Sequence, residues 1–125
     1  MKNYVFVYGT LKRGYGNHRV LGSAKFVGEG KTVSGAYKML DGGFPMVLSG
    51  GLFHVKGELF EVSDEQTMRN LDRLEGVPTL YTREETEVEL SDGSVQHSYI
   101  YIGNPRWASG NYVIPNDNNE CEWTR

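Results

Sequence analysis

One stretch of this chain, SDEQTMRNLDRLEG (Ser63 to Gly76), carries a clear helical period, set among short apolar runs broken by many of the chain's sixteen glycines. A single helix supplies a single crossover. A doubly wound parallel sheet needs several, so the short strands must instead curl on themselves. The expectation is an α+β domain with one principal helix and about five to seven strands in a barrel-like sheet. The 125 residues fit one domain and suffice for a real core without disulfides or metals.

The boundaries follow from local signals. Tyr4 to Tyr8 is nearly all apolar and reads as a strand buried on both faces. Gly14 to Gly22 reads as a loop with a short helical turn around His18 to Leu21. Thr32 to Leu40 reads as a strand, DGGFP (Asp41 to Pro45) as a turn, and Phe44 to Leu48 as a short extended piece. SGG (Ser49 to Gly51) is a second turn signal. Leu52 to Val62 reads as a long strand in which Gly57 marks a bulge or a close backbone approach. In the helix, Ser63 and Gln66 form a capping box, Asp64 and Glu65 suit the positive end of the dipole, and Gly76 with Pro78 ends it. Thr82 to Leu90 and Val95 to Ile102 are strands joined by SDG. From Pro105 onward the chain is mostly polar. Residues 105–125 are expected to form a surface-packed tail with a frayed end.

Composition excludes several classes. The net charge is -3 and the pI near 5.6, which argues against a general nucleic-acid binder. Lys12 and Arg13 are too small a basic pair to reverse that. No apolar run approaches the roughly 18 residues of a membrane span. MKNYVFVYG reads as a strand rather than a signal peptide. With one cysteine, Cys121, no intrachain disulfide forms, which suits a cytoplasmic setting. Cys121 reads as a surface or tail thiol. His18, His54 and His97 form no spaced cluster with it, so no metal site is expected.

Two features point to chemistry. Met68, Leu71 and Leu74 define the helix's apolar stripe, at ~100° per residue. Glu75 falls ~40° from its centre by the same count, while Asp72 lies further out and reads as solvated. A glutamate aimed at a core has its pKa raised and becomes a proton acceptor near neutral pH. The alternative is that the last turn loosens and the side chain reaches water. The second feature is VFVYGTLKRGYGN, residues 5 to 17, where a strand breaks into Gly9. Such a turn can present successive backbone N–H groups as an anion nest, with the Thr10 hydroxyl as a further donor. The alternative is an ordinary loop.

FVYGTLKRGYGNHRVL, followed in order by FPMVL, VKGELFEV and LDRLEGVPTLYTR, resembles the γ-glutamylcyclotransferase-like superfamily, in its AIG2-like, γ-glutamylamine cyclotransferase branch. Gly110-Asn111-Tyr112 is similar to a Gly-Asp-Trp-like element near that family's C-terminus, so the likeness extends over nearly the whole chain. The resemblance implies a small mixed β-barrel flanked by helices, with a pocket between the first loop and the acidic residue. It implies release of 5-oxoproline from γ-glutamyl compounds. It puts substrate binding on Tyr8, Gly9, Thr10 and Leu11, proton transfer on Glu75, and pocket aromatics at Tyr81 and Tyr101. Thr10 stands where the glutathione-specific branch typically carries serine, which points away from glutathione.

The implied chemistry needs no cofactor, metal or nucleophilic side chain. The substrate's own α-amine closes the ring, Glu75 moves the proton, and the loop amides hold a carboxylate or oxyanion. The partner expected is thus a small γ-glutamyl substrate, with neither nucleic acid nor membrane. Two other readings stay open: a non-catalytic module binding a γ-glutamyl or small carboxylate ligand, and a cyclotransferase that deprotects a biosynthetic intermediate.

Overall fold

The computed structural model describes residues 2–124. Met1 and Arg125 lie outside them, and with Arg125 the expected fraying of the end. The strands are β1 (Asn3–Val7), β2 (Lys25–Thr32), β3 (Tyr37–Asp41), β4 (Pro45–Ser49) and β5 (His54–Val62). The helix α1 (Glu65–Leu74) follows, then β6 (Tyr81–Leu90), β7 (Val95–Gly103), β8 (Asn111–Tyr112) and β9 (Glu120–Cys121). Short 3-10 turns occupy His18–Leu21 and Pro105–Trp107.

The order β1-β7-β6-β2-β5 closes through a β1–β5 pairing, giving a mixed five-stranded barrel. Only the β1–β7 contact within it is parallel. A three-stranded sheet, β4-β3-β8, lies beside the barrel, and β9 adds to β5 in parallel. Closure leaves the barrel's own strands without an open edge. β1 is buried on both faces, as its apolar run predicts. Val5 and Val7 pack with Leu21, Phe60, Val62 and the helix residues Met68 and Leu71. Phe6 and Tyr8 pack with Leu59, Val88, Ile100 and Ile102. This alternation is the period of two that a strand imposes, here serving two cores.

Gly57 marks a close approach rather than a bulge: a Cβ there would run into the Val7 carbonyl. The irregularity lies instead in β2, between Phe26 and Gly28.

Three boundaries differ from the sequence expectation. The strand expected over Thr32 to Leu40 straddles a break between β2 and β3. The Thr32 hydroxyl donates to the Ser34 carbonyl, and the Ala36 N–H donates to Ser34 Oγ, so the side chains fold the backbone into a turn. β2 itself escaped notice because its alternation is carried by half-exposed residues and glycines. The helix is capped by Asp64, not by a Ser63–Gln66 box. The Asp64 carboxylate accepts from the Thr67 N–H and hydroxyl, both at 2.8 Å, and a charged acceptor is the stronger cap. Gln66 turns to Asn70 and Arg69 instead. The third difference is the tail. Cys121 and Trp123 are buried in the Phe6 cluster, so Cys121 is a core thiol rather than a surface one. Pairing of β9 with β5 carries these two residues inward.

Candidate active site

The end of β1 places the first wall. After Val7 the chain turns at Gly9, whose carbonyl accepts from Lys12 N–H at 3.0 Å. The Thr10 carbonyl accepts from Asn17 N–H, and the Asn17 side-chain amide donates to Thr10 Oγ1 at 2.9 Å. The Leu11 carbonyl lies 2.9 Å from His18 Nδ1. Every carbonyl of the turn is therefore engaged within the loop. Among the described residues, the N–H groups of Gly9, Thr10 and Leu11 have no acceptor. Thr10 accepts from Asn17 and so keeps its own O–H to donate. These residues line a cavity of about 320 Å³.

Gly9 also permits the second wall. A Cβ on it would come within 2.7 Å of Pro45 Cγ, so only glycine lets the DGGFP turn settle on this loop. Gly43, Phe44 and Pro45 thereby reach the cavity, with half-exposed Phe44 at its edge.

The third wall is the end of α1. Met68 and Leu71 are buried, while Leu74 is half-exposed and lines the cavity. Glu75 is the helix C-cap at φ -82, ψ -3, with Gly76 left-handed at φ 64 just after it. The carboxyl faces the cavity and, among the described residues, has no hydrogen bond or ion pair. Burial pushes its pKa from the ordinary 4.5 up to about 7. Among the described residues, no other ionised side chain lines this cavity. An anionic group would thus be met by amides, and a cation by Glu75.

Tyr8, Tyr81 and Tyr101 complete the lining. Tyr8 donates to the Tyr101 carbonyl at 2.6 Å, and Tyr81 to the Pro45 carbonyl at 3.1 Å. Tyr101 donates to Asp72 Oδ1 at 2.8 Å. Burial is the first cause that raises all three phenol pKa values, so they stay protonated.

All seven residues singled out in the sequence, Tyr8, Gly9, Thr10, Leu11, Glu75, Tyr81 and Tyr101, meet at this one cavity. One expectation near it is corrected, and the basic pair beside it is placed. Asp72 is not simply solvated: it takes the Tyr101 hydrogen bond and pairs with Arg83 at 3.1 Å. Lys12 is buried, with its ammonium on the Trp123 carbonyl at 2.5 Å. Arg13 pairs with Glu58 at 3.4 Å and stacks over Phe26. Neither basic side chain lines the cavity. Sequence reasoning missed Asn17, which a polar residue ending a glycine-rich loop could have flagged. It also missed Leu80, which has no local signal.

Residues 5–125 match the family described as γ-glutamyl cyclotransferase, AIG2-like. The γ-glutamylaminecyclotransferase of Rattus norvegicus is 40% identical over 104 residues, covering 70% of this chain and 64% of that protein. The chain thus spans just under two thirds of this relative's length. A protein of Methanocaldococcus jannaschii, whose assignment as a γ-glutamylcyclotransferase is provisional, is 39% identical over 101 residues, 79% of this chain and 82% of its own. The crystal structure of an AIG2-like protein from Mus musculus superposes with a TM-score of 0.74 at 31% identity, over 99% of this chain and 97% of that one. With a match over nearly its whole length and the same barrel, the chain belongs to the γ-glutamyl cyclotransferase, AIG2-like family of enzymes.

Proposed function

We propose that this enzyme is a γ-glutamylamine cyclotransferase. The substrate's α-amine attacks its own γ-carbonyl, the bond to the leaving amine breaks, and 5-oxoproline and a free amine are released. One observation carries this reading: among the described residues, an unpaired carboxyl held near pKa 7 faces the same cavity as three unpaired backbone N–H groups. The names of the rat and archaeal relatives support it.

The α-ammonium of a γ-glutamyl compound has a reference pKa of about 8 and must lose a proton to become a nucleophile. Glu75, ionised, takes that proton and returns it to the departing nitrogen, acting as base and then acid. Its raised pKa brings it within about one unit of the amine, so the transfer is nearly balanced in both directions. The amides of Gly9, Thr10 and Leu11 hold the substrate carboxylate or the tetrahedral oxyanion. The tyrosine rings fold the γ-glutamyl arm so that nitrogen and carbonyl carbon meet. A cavity of about 320 Å³ is at the small end for ligand sites, which suits a γ-glutamyl head group with the leaving amine directed outward. Cytoplasmic operation is part of the proposal. Among the described residues no helix is long and apolar enough to cross a membrane.

The test compares wild type with Glu75→Gln for 5-oxoproline release from γ-glutamyl-ε-lysine and from simpler γ-glutamyl amines. Equal turnover by the two proteins removes Glu75 from proton transfer. Inertness toward every γ-glutamyl compound, with ligand-induced thermal stabilisation but no product, would make the cavity a binding site only.

A further inference from the structure

Three phenols line the cavity that Glu75 faces, and the glutamate's charge is felt by each of them. A carboxylate so placed would ordinarily collect their protons as hydrogen bonds. Here none donates to it. Tyr8 and Tyr81, from β1 and β6, are committed to the backbone carbonyls of Tyr101 and Pro45, acceptors fixed by the fold. Tyr101, from β7, is committed to a side chain, Asp72, three residues before Glu75 on α1. Asp72 is held in turn by Arg83 from β6, whose guanidinium sits 4.7 Å from the centre of the Tyr99 ring. Asp72 and Glu75 are therefore rival acceptors for one phenol, and Asp72 has it.

We propose that Asp72 is a positioning residue for the cyclotransferase reaction: by holding the Tyr101 hydroxyl, it keeps that donor off Glu75 and leaves Glu75 free to take the substrate's proton. This rests on the reading of Glu75 as the proton carrier. A hydrogen bond donated to a carboxylate stabilises its ionised form and weakens it as a base. With all three phenols turned elsewhere, burial alone acts on Glu75 and keeps it near 7. Arg83 decides the rivalry. Its guanidinium lies 3.1 Å from Asp72 and fixes that carboxylate where the phenol meets it. The phenol is a constant donor, because burial and the Asp72 hydrogen bond both push its pKa up.

The experiment follows the acid limb of kcat/KM against pH, and in parallel the carbon-13 titration of the Glu75 carboxyl. The second readout needs no turnover, so a failure of the cyclotransferase reading stays distinguishable from a failure of this one. In Asp72→Ala, Tyr101 is released to Glu75, and both readouts fall by about one pH unit. In Asp72→Ala/Tyr101→Phe there is no phenol to donate, and both return to the wild-type position. Asp72→Asn removes the charge but keeps an acceptor oxygen, and both readouts stay near wild type. Unmoved readouts in a folded Asp72→Ala protein overturn the proposal. So does a shift that survives in the double variant, which would assign it to the lost charge or to a freed Arg83. Should Asp72→Ala fail to fold, Tyr101→Phe decides. The proposal expects an unmoved limb, and an upward shift would mean that Tyr101 already donates to Glu75.

Discussion

A groove of about 460 Å³ runs past β2, β5, β6 and the tail, lined by lysines and glutamates, whereas the cavity of about 320 Å³ beside Glu75 holds one carboxyl among tyrosines and backbone. In the groove, Lys31 lies 3.3 Å from Glu120 and 4.0 Å from Glu89, and Lys56 lies 3.8 Å from Glu122. Lys12 is spent on the Trp123 carbonyl, and Glu58 on Arg13. These groups are paired within the molecule, and Glu29, the remaining charged residue of the groove, is exposed to water. Around Glu75, among the described residues, a carboxyl and three N–H groups are unmet, and the Thr10 O–H has no acceptor. A substrate is drawn to what the fold has not satisfied, which is why the proposed function assigns the chemistry to the cavity poorer in charge.

The sharpest way to break that contrast is to remove one charged group from each hollow. Glu75→Gln should lower kcat by about 10²–10⁴-fold, the usual worth of a general acid–base, with little change in KM. Lys31→Ala, which unpairs two groove glutamates, should leave turnover within about twofold of wild type, since surface pairs contribute little. A comparable loss from both changes would erase the distinction. The pH profile adds a signature. Wild-type kcat/KM should rise through about pH 7 as Glu75 ionises. It should fall above about pH 8 as the substrate's ammonium gives up the proton that the leaving amine needs. A flat profile between pH 5 and 8 would deny Glu75 its part.

A smaller effect tests how the cavity is assembled. Gly9→Ala places a methyl 2.7 Å from Pro45 Cγ, so the first loop and the DGGFP turn must part by several tenths of an ångström. On the proposed function, misplacing the loop amides by that much should cost about 10–100-fold in kcat. Gly14→Ala, at a left-handed position with nothing near it, lies outside the lining. It should cost about 1–2 kcal/mol of stability, through backbone strain alone, and spare the rate. Steady-state kinetics beside thermal melts separate the two.

These walls differ in how far the sequence revealed them. Glu75 was legible because a helix has a fixed period, and a carboxylate on its apolar stripe violates that pattern. The Tyr8–Leu11 break was legible because β1 is so apolar that its end is abrupt. Asp72 was misjudged because its partners, Tyr101 and Arg83, lie on β7 and β6, and nothing on the helix announces them. Lys12 gives no local signal for the same reason: its acceptor is the Trp123 carbonyl, 111 residues away. β2 was invisible because glycines hold half its inward places, and β9 because a two-residue strand has no period. Local pattern reports which face of an element is apolar. It is silent about which distant atom meets a polar side chain, and both Asp72 and Lys12 turn on that.

The smallest effects concern stability, and there the two hollows should respond with opposite signs. The folded pKa of Glu75 is raised to about 7 from 4.5, so between those values the native state binds more protons than the unfolded chain. Stability then falls as pH rises across that window and stays lower above it. Glu75→Gln removes this penalty. It should stabilise the protein by about 3 kcal/mol at pH 8, roughly 10 °C in Tm, and by nothing near pH 4. Glu120 is the reverse case. The Asn116 side-chain hydrogen bond first, and then Lys31, hold its pKa below the ordinary value. Its contribution is present above the unfolded pKa and is lost as pH falls through the folded one. Glu120→Gln should therefore destabilise at pH 8 by on the order of 1 kcal/mol and lose that effect in acid. Melting curves at pH 4 and pH 8 read both variants. Destabilisation by Glu75→Gln at pH 8 would mean that the carboxylate has a partner in the fold, and the idea of a proton carrier held in reserve for substrate would go with it.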